Sequence, residues 1–247
     1  MKKIRISAVS YTNTKPFIYG LQHADILGKI ELSLDTPADC AQKLIDDRVD
    51  IGLIPVAAVL NIPGWNIVSD YCIGAVGAVN SVFIFSNCAI HDVEKLQLDP
   101  QSRSSNNLSK VLLKNYWTLK PELIVDAADY SMSTDSKTAF VQIGDRTFGK
   151  KDKYPFVYDL AQVWQDFTGL PFMFAGWIAN KPIPAEFLTE FNAALKLGLD
   201  NRAELFKELP HYKDFDIEEY LMNKIDFNVT EGKIKAMELF LQYIREL

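Results

Sequence analysis

The sequence predicts an α/β protein of two lobes with a ligand cleft between them. Three observations carry this expectation. Short apolar runs alternate with helical periods, hydroxyl-rich loops lead from several of those runs into helices, and a helical tail follows two such units. A chain of 247 residues, 48% hydrophobic and 23% charged, is long enough to bury a large core. The net charge is −6 and the Lys and Arg residues are scattered, so nucleic acid and anionic membrane are poor partners. An anionic small molecule would have to be held by local groups.

The first strand is read from Ile4, Ile6 and Ala8, which alternate with Lys3, Arg5 and Ser7. It gives way to a polar loop through Thr14 and then to Lys15-Pro16-Phe17-Ile18-Tyr19-Gly20-Leu21, where a proline suits the first turn of a helix. Loops in this position lie beyond the carboxyl ends of the strands, beside the N–H groups of a helix start. Tyr11, Thr12, Asn13 and Thr14 would then face a ligand; alternatively Thr12 or Thr14 merely caps the helix.

Ile30 to Leu34 alternates as a second strand, and Thr36-Pro37 opens a helix through Ile45. Val49 to Ile54 is nearly all apolar, as a central parallel strand should be, and stops at the loop Pro55-Val56-Ala57-Ala58. Residues 65–69 and 72–76 continue the β pattern, and Gly77 to Ser86 reads as a strand entered through small residues. His91 to Lys95 reads as a short surface turn or helix. Leu98-Asp99-Pro100-Gln101-Ser102-Arg103-Ser104-Ser105 then leads into an apolar helix ending near Tyr116. Capping needs one small polar residue, and this run offers several beside an arginine, which favours a carboxylate seat.

Glu122 to Asp126 and Ala139 to Asp145 read as strands joined by a polar connection, 129–137. Residues 159–167 form an amphipathic helix ended by Thr168-Gly169, residues 170–179 a strand, and everything from Pro184 onward is helical by period. With no Pro/Gly/Ser linker, the crossings between lobes are expected in strands, near 78–86 and 174–179. The first lobe would hold residues 1–79 and 178–247, the second 80–177. This is the layout of a type II periplasmic-binding-protein-like fold.

Chemistry is narrowed mainly by what is missing. His23, His91 and His211 lie in no nucleophile–carboxylate setting, Cys40, Cys72 and Cys88 read as buried free thiols, and no zinc spacing or glycine-rich phosphate motif occurs. Trp164 and Trp177 read as core. No apolar stretch follows Met1-Lys2-Lys3 as a secretion signal would require, so a cytoplasmic protein is expected. A cleft lined by Asn, Ser, Thr, Tyr and backbone amides can bind a small anion, or bind it and drive an elimination by positioning.

Six motifs occur in matching order over residues 5–177: Val9-Ser10-Tyr11-Thr12-Asn13-Thr14-Lys15-Pro16-Phe17, Val49 to Val56, Asn80-Ser81-Val82, Leu98 to Ser105, Ile143-Gly144-Asp145, and Trp164 to Trp177. Together they resemble the chorismate dehydratase (MqnA) family of the futalosine route to menaquinone. The resemblance implies a two-lobed fold and loss of water from chorismate, giving 3-[(1-carboxyvinyl)oxy]benzoate without a cofactor. It makes Asn13 the catalytic residue and places Tyr11, Thr12, Thr14, Pro55, Val56, Ser81, Arg103, Ser104, Ser105 and Asp145 around the substrate. Asp145, a water or a substrate carboxylate would take the proton. Thr12 stands where leucine is usual, and Ser104 where threonine is common. A sister family making 1,4-dihydroxy-6-naphthoate shares the fold but relies on a histidine, and this chain has none between His91 and His211. A non-catalytic anion-binding protein is the other alternative.

Overall fold

The computed structural model describes residues 3–125 and 136–247. The chain opens with a β-α-β-α-β unit: β1 (Ile4–Val9), α1 (Lys15–His23), β2 (Ile30–Asp35), α2 (Pro37–Ile45) and β3 (Ile51–Pro55). β1 lies between β2 and β3 and is parallel to both. Pro16 and Pro37 sit in the first turns of their helices, and Thr36 accepts the Asp39 N–H as an N-cap. β4 (Asn66–Ala75) then joins the two β-patterned runs into one strand.

The second sheet is built from β5 (Val82–Ser86), β6 (Lys95–Gln97), β7 (Glu122–Ile124), β8 (Thr138–Ile143) and β9 (Phe156–Asp159), with α3 (Arg103–Asn115) between β6 and β7 and α4 (Leu160–Thr168) after β9. Its order is β7-β6-β8-β5-β9. The connection expected at 129–137 lies outside the described residues as far as position 135. β9 was not expected: Asp159 ends it and caps α4, accepting the N–H groups of Ala161 and Gln162.

β10 (Phe172–Ala179) returns to the first sheet and inserts antiparallel between β3 and β4. It pairs there from Phe172 onward, which moves the returning crossing from 174–179 to the residues just before β10. The tail contains α5 (Ala185–Asp200), α6 (Arg202–Leu205), α7 (Ile217–Glu219), β11 (Asp226–Asn228) and α8 (Glu231–Arg245). The expectation of helix throughout therefore fails at β11, which edges the six-stranded sheet against β4. Three residues are too few for alternation to be read, and the strand exists only because β4 offers its edge.

α1 and α5 pack closely because glycines meet at their crossing. A Cβ on Gly20 would come within 2.0 Å of the Ala194 carbonyl oxygen, and one on Gly198 within 1.8 Å of that of Pro16. α8 lies against β10 and also against α3, so the tail touches both lobes. Trp164 and Trp177 are fully buried in the core, as expected. Burial raises the Cys40 thiol to about 12 and the Cys72 thiol to about 11, which makes both unreactive; Cys88 is free and half-buried. Among the described residues no helix is long and apolar enough to cross a membrane.

Candidate functional site

The turns after β1, β3, β6 and β8 each start a helical segment, and these starts meet around one cavity between the sheets. The cavity measures about 590 Å³ including its mouth, within the range of small-molecule sites. Aliphatic side chains from β3, β4 and β8 form much of its wall, and none of its lining side chains is an acid or a base. The strongly paired charges lie elsewhere. Asp50, at the amino end of β3, is pushed up by burial but held far below the usual carboxylate range by Arg5 and Lys181.

The first loop delivers Tyr11, Asn13 and Thr14 to the cavity. Tyr11 donates to Gln101 Oε1 at 2.5 Å. Its ring lies on Gly144, where a Cβ would come within 3.1 Å and where φ is +63°, so this position suits glycine twice over. Burial raises the Tyr11 pKa, with Arg146 opposing it. Asn13 Oδ1 accepts from Thr14 Oγ1 at 3.3 Å.

Thr12 does not line the cavity. It is 2% exposed, and its backbone N–H and hydroxyl both donate to Asp145, at 3.1 and 2.9 Å. Asp145 is likewise absent from the lining. Burial raises its pKa, while the two Thr12 bonds pull the other way. Thr12 and Asp145 thus form a strap that ties the loop to the turn after β8, and neither lines the cavity where ligand contacts were expected of them.

Pro55 and Ser81 line the cavity, whereas Val56 is fully buried core at the start of the 3-10 turn Val56–Asn61. Arg103 is the first residue of α3 and is also absent from the lining of this cavity, where a guanidinium contact was expected. Ser104 and Ser105 are both lining residues. The Ser104 hydroxyl, however, accepts the Ala57 N–H at 3.2 Å and donates to the Phe174 carbonyl at 3.1 Å, pinning α3 to the first lobe. Ser102 caps the helix by accepting the Ser105 N–H. The N–H groups of residues 103 and 104 have no carbonyl partner within α3, and the positive end of its dipole faces the cavity. An anion is favoured there.

Several residues of the site were not legible beforehand. Asp99 is completely buried and accepts from Arg146 and from the N–H groups of Gln101 and Ile143, fixing the loop ahead of α3. Phe148 stacks on Phe215 at 3.7 Å and meets Tyr212 edge-on, joining the turn after β8 to the tail. Tyr220 is buried against Ser81. These contacts join distant parts of the chain, and nothing in local spacing announces them. Among the described residues, no group of three or more His, Cys, Asp or Glu is placed to hold a metal ion.

A family model described as menaquinone biosynthesis matches residues 4–246. Solved structures share the fold at low identity. Protein AF1704 from Archaeoglobus fulgidus superposes with a TM-score of 0.73 at 15% identity, covering 99% of this chain and 97% of that one. The Candida albicans CA3427 gene product, described as having the generic periplasmic binding protein fold, gives 0.68 at 11% identity over 100% and 91%. The periplasmic aliphatic sulphonate binding protein SsuA from Escherichia coli gives 0.63 at 14% identity over 100% and 86%. The periplasmic-binding-protein-like α/β fold expected from the sequence is therefore the fold of this chain.

Proposed function

We propose, from the premise that the chain belongs to the menaquinone biosynthesis family, that it is a chorismate dehydratase. The reaction removes a ring proton and the hydroxyl on the adjacent carbon as water, and the ring becomes aromatic. No electrons leave or enter the substrate, so the chemistry calls for no redox cofactor, and aromatisation supplies the driving force.

The observation that carries this reading is the composition of the cavity wall. It offers the Asn13 amide, serine hydroxyls and the open first turn of α3, set in an apolar surround without a side-chain acid or base. Such a site orients a dianion, polarises a departing oxygen and excludes water. One substrate carboxylate sits at residues 103–105, the other near the loop of Tyr11 and Thr14. Asn13 donates to the leaving hydroxyl. With Asp145 turned onto Thr12, the ring proton goes to a carboxylate of the substrate itself and from there to the departing hydroxide, so that water leaves and the carboxylate is restored.

Incubation of the purified protein with chorismate alone, followed by liquid chromatography with mass detection, tests this. A product lighter by one water with benzoate-like absorbance is expected. Intact chorismate together with a raised melting temperature would instead make the chain a binding protein for such anions.

A further inference from the structure

Ser81 stands one residue before β5 and lines the cavity, and it is 1% exposed. Its main chain is fixed, because its carbonyl accepts the Gly144 N–H at 2.8 Å. The Tyr11 ring lies on the same glycine, so Ser81 belongs to the end of the cavity that the first loop lines. What the backbone leaves open is the direction of the hydroxyl proton, which turns about the Cβ–Oγ bond.

Tyr220 settles that direction. It opens the π-helical turn Tyr220–Lys224, directly after α7, and is likewise 1% exposed. Phe148 and Phe215 brace its ring, each with its centroid 5.3 Å away. The phenol donates to Ser81 Oγ at 2.8 Å. Burial raises its pKa well above the ordinary value, so it stays a donor at any working pH. Tyr220 is not part of the cavity lining, so it reaches Ser81 from behind the wall. One lone pair of Oγ is thereby taken, and among the described residues nothing accepts the Ser81 proton. A buried hydroxyl proton without an acceptor is costly, and the cavity is where a ligand can supply one. Accepting the phenol's bond also polarises the Ser81 hydroxyl into a stronger donor.

We propose that Ser81 donates to the substrate carboxylate seated beside the first loop, and that Tyr220 is the positioning residue that aims this proton into the cavity. This rests on the dehydratase reading. The carboxylate is there before and during the reaction, so the bond contributes to KM rather than to kcat.

Tyr220→Phe deletes only the phenol hydroxyl and should raise KM for chorismate about fivefold, with kcat within about twofold. Ser81→Ala removes the donor itself and should raise KM about tenfold or more. Because Tyr220 acts through Ser81, Tyr220→Phe should add nothing in the Ser81→Ala background. Two rises that multiply would make the phenol an independent, structural group and overturn the proposal, as would an unchanged KM in Tyr220→Phe. If the wild-type protein leaves chorismate intact, the dehydratase reading fails by itself, and the same cycle is read from the Kd for chorismate by isothermal titration calorimetry, with the same outcomes. A wild-type protein that does not bind chorismate either overturns both. Should Tyr220→Phe not fold, 3-fluorotyrosine installed at position 220, a stronger donor of nearly equal size, should lower KM, or Kd, in the wild-type background and not beside Ser81→Ala; no change in either background overturns the proposal.

Discussion

Thr12 and Asp145 lie 133 positions apart in sequence, yet Asp145 accepts both the backbone N–H and the hydroxyl of Thr12. That hydroxyl is thus spent on an acid in the turn after β8. Thr12→Val keeps the shape and backbone bond but removes the hydroxyl, and should cost about 1–2 kcal/mol. Urea unfolding measures this; a midpoint equal to that of wild type would show that the hydroxyl contributes nothing.

The same strap makes stability depend on pH. Asp145 is raised above the ordinary value of 3.8 by burial, so folding takes up a proton over that interval. Stability from this group is present below the ordinary value and is lost as pH rises through the raised one. Asp145→Asn retains an acceptor for Thr12 and has no proton to lose. Relative to wild type, its unfolding midpoint should therefore climb as pH rises through the window, whereas parallel profiles would exclude Asp145 as the titrating group.

Asn13→Ala should lower kcat by about a hundredfold or more, the usual cost of removing one donor aimed at developing charge. The fold should be retained, because the loop is held by Thr12, Tyr11 and α1 rather than by the Asn13 amide. Circular dichroism and product formation measured on the same sample separate the two effects.

Ser104 and Ser105 are neighbours with different tasks. Ser104→Ala strips a buried bridge between the Ala57 N–H and the Phe174 carbonyl and should cost about 1–3 kcal/mol. Ser105→Ala should leave stability nearly intact and raise KM, since Ser105 lines the cavity beside the open helix turn. Equal stability losses in both variants would contradict this division.

Gly198→Ala drives a methyl group into the Pro16 carbonyl at 1.8 Å. Backbone lies on both sides and cannot rotate away, so α1 and α5 must separate, at a cost of about 3 kcal/mol or more. Thermal unfolding checks the size. The first loop is attached to α1, so the variant should also lose activity at temperatures where it is still folded.

The sequence by itself determined the parts whose causes are local. Apolar runs in β1, β3 and β8 show their pairing surface within a few residues, and Pro16, Pro37 and Ser102 mark helix starts by their own stereochemistry. The order of motifs carried the family. Only the tertiary structure decided how the polar groups of those loops are used. Thr12, Ser104 and Asp145 are the residue types a ligand site needs, but a hydroxyl or carboxylate serves the ligand only if no closer partner claims it, and here Asp145, Ala57, Phe174 and Thr12 do. β11 and Tyr220 were hidden for the same reason. A three-residue strand needs the edge of β4, and a buried phenol needs Ser81, 139 positions away. Hydrogen bonding saturates at short range in space, and sequence records only distance along the chain.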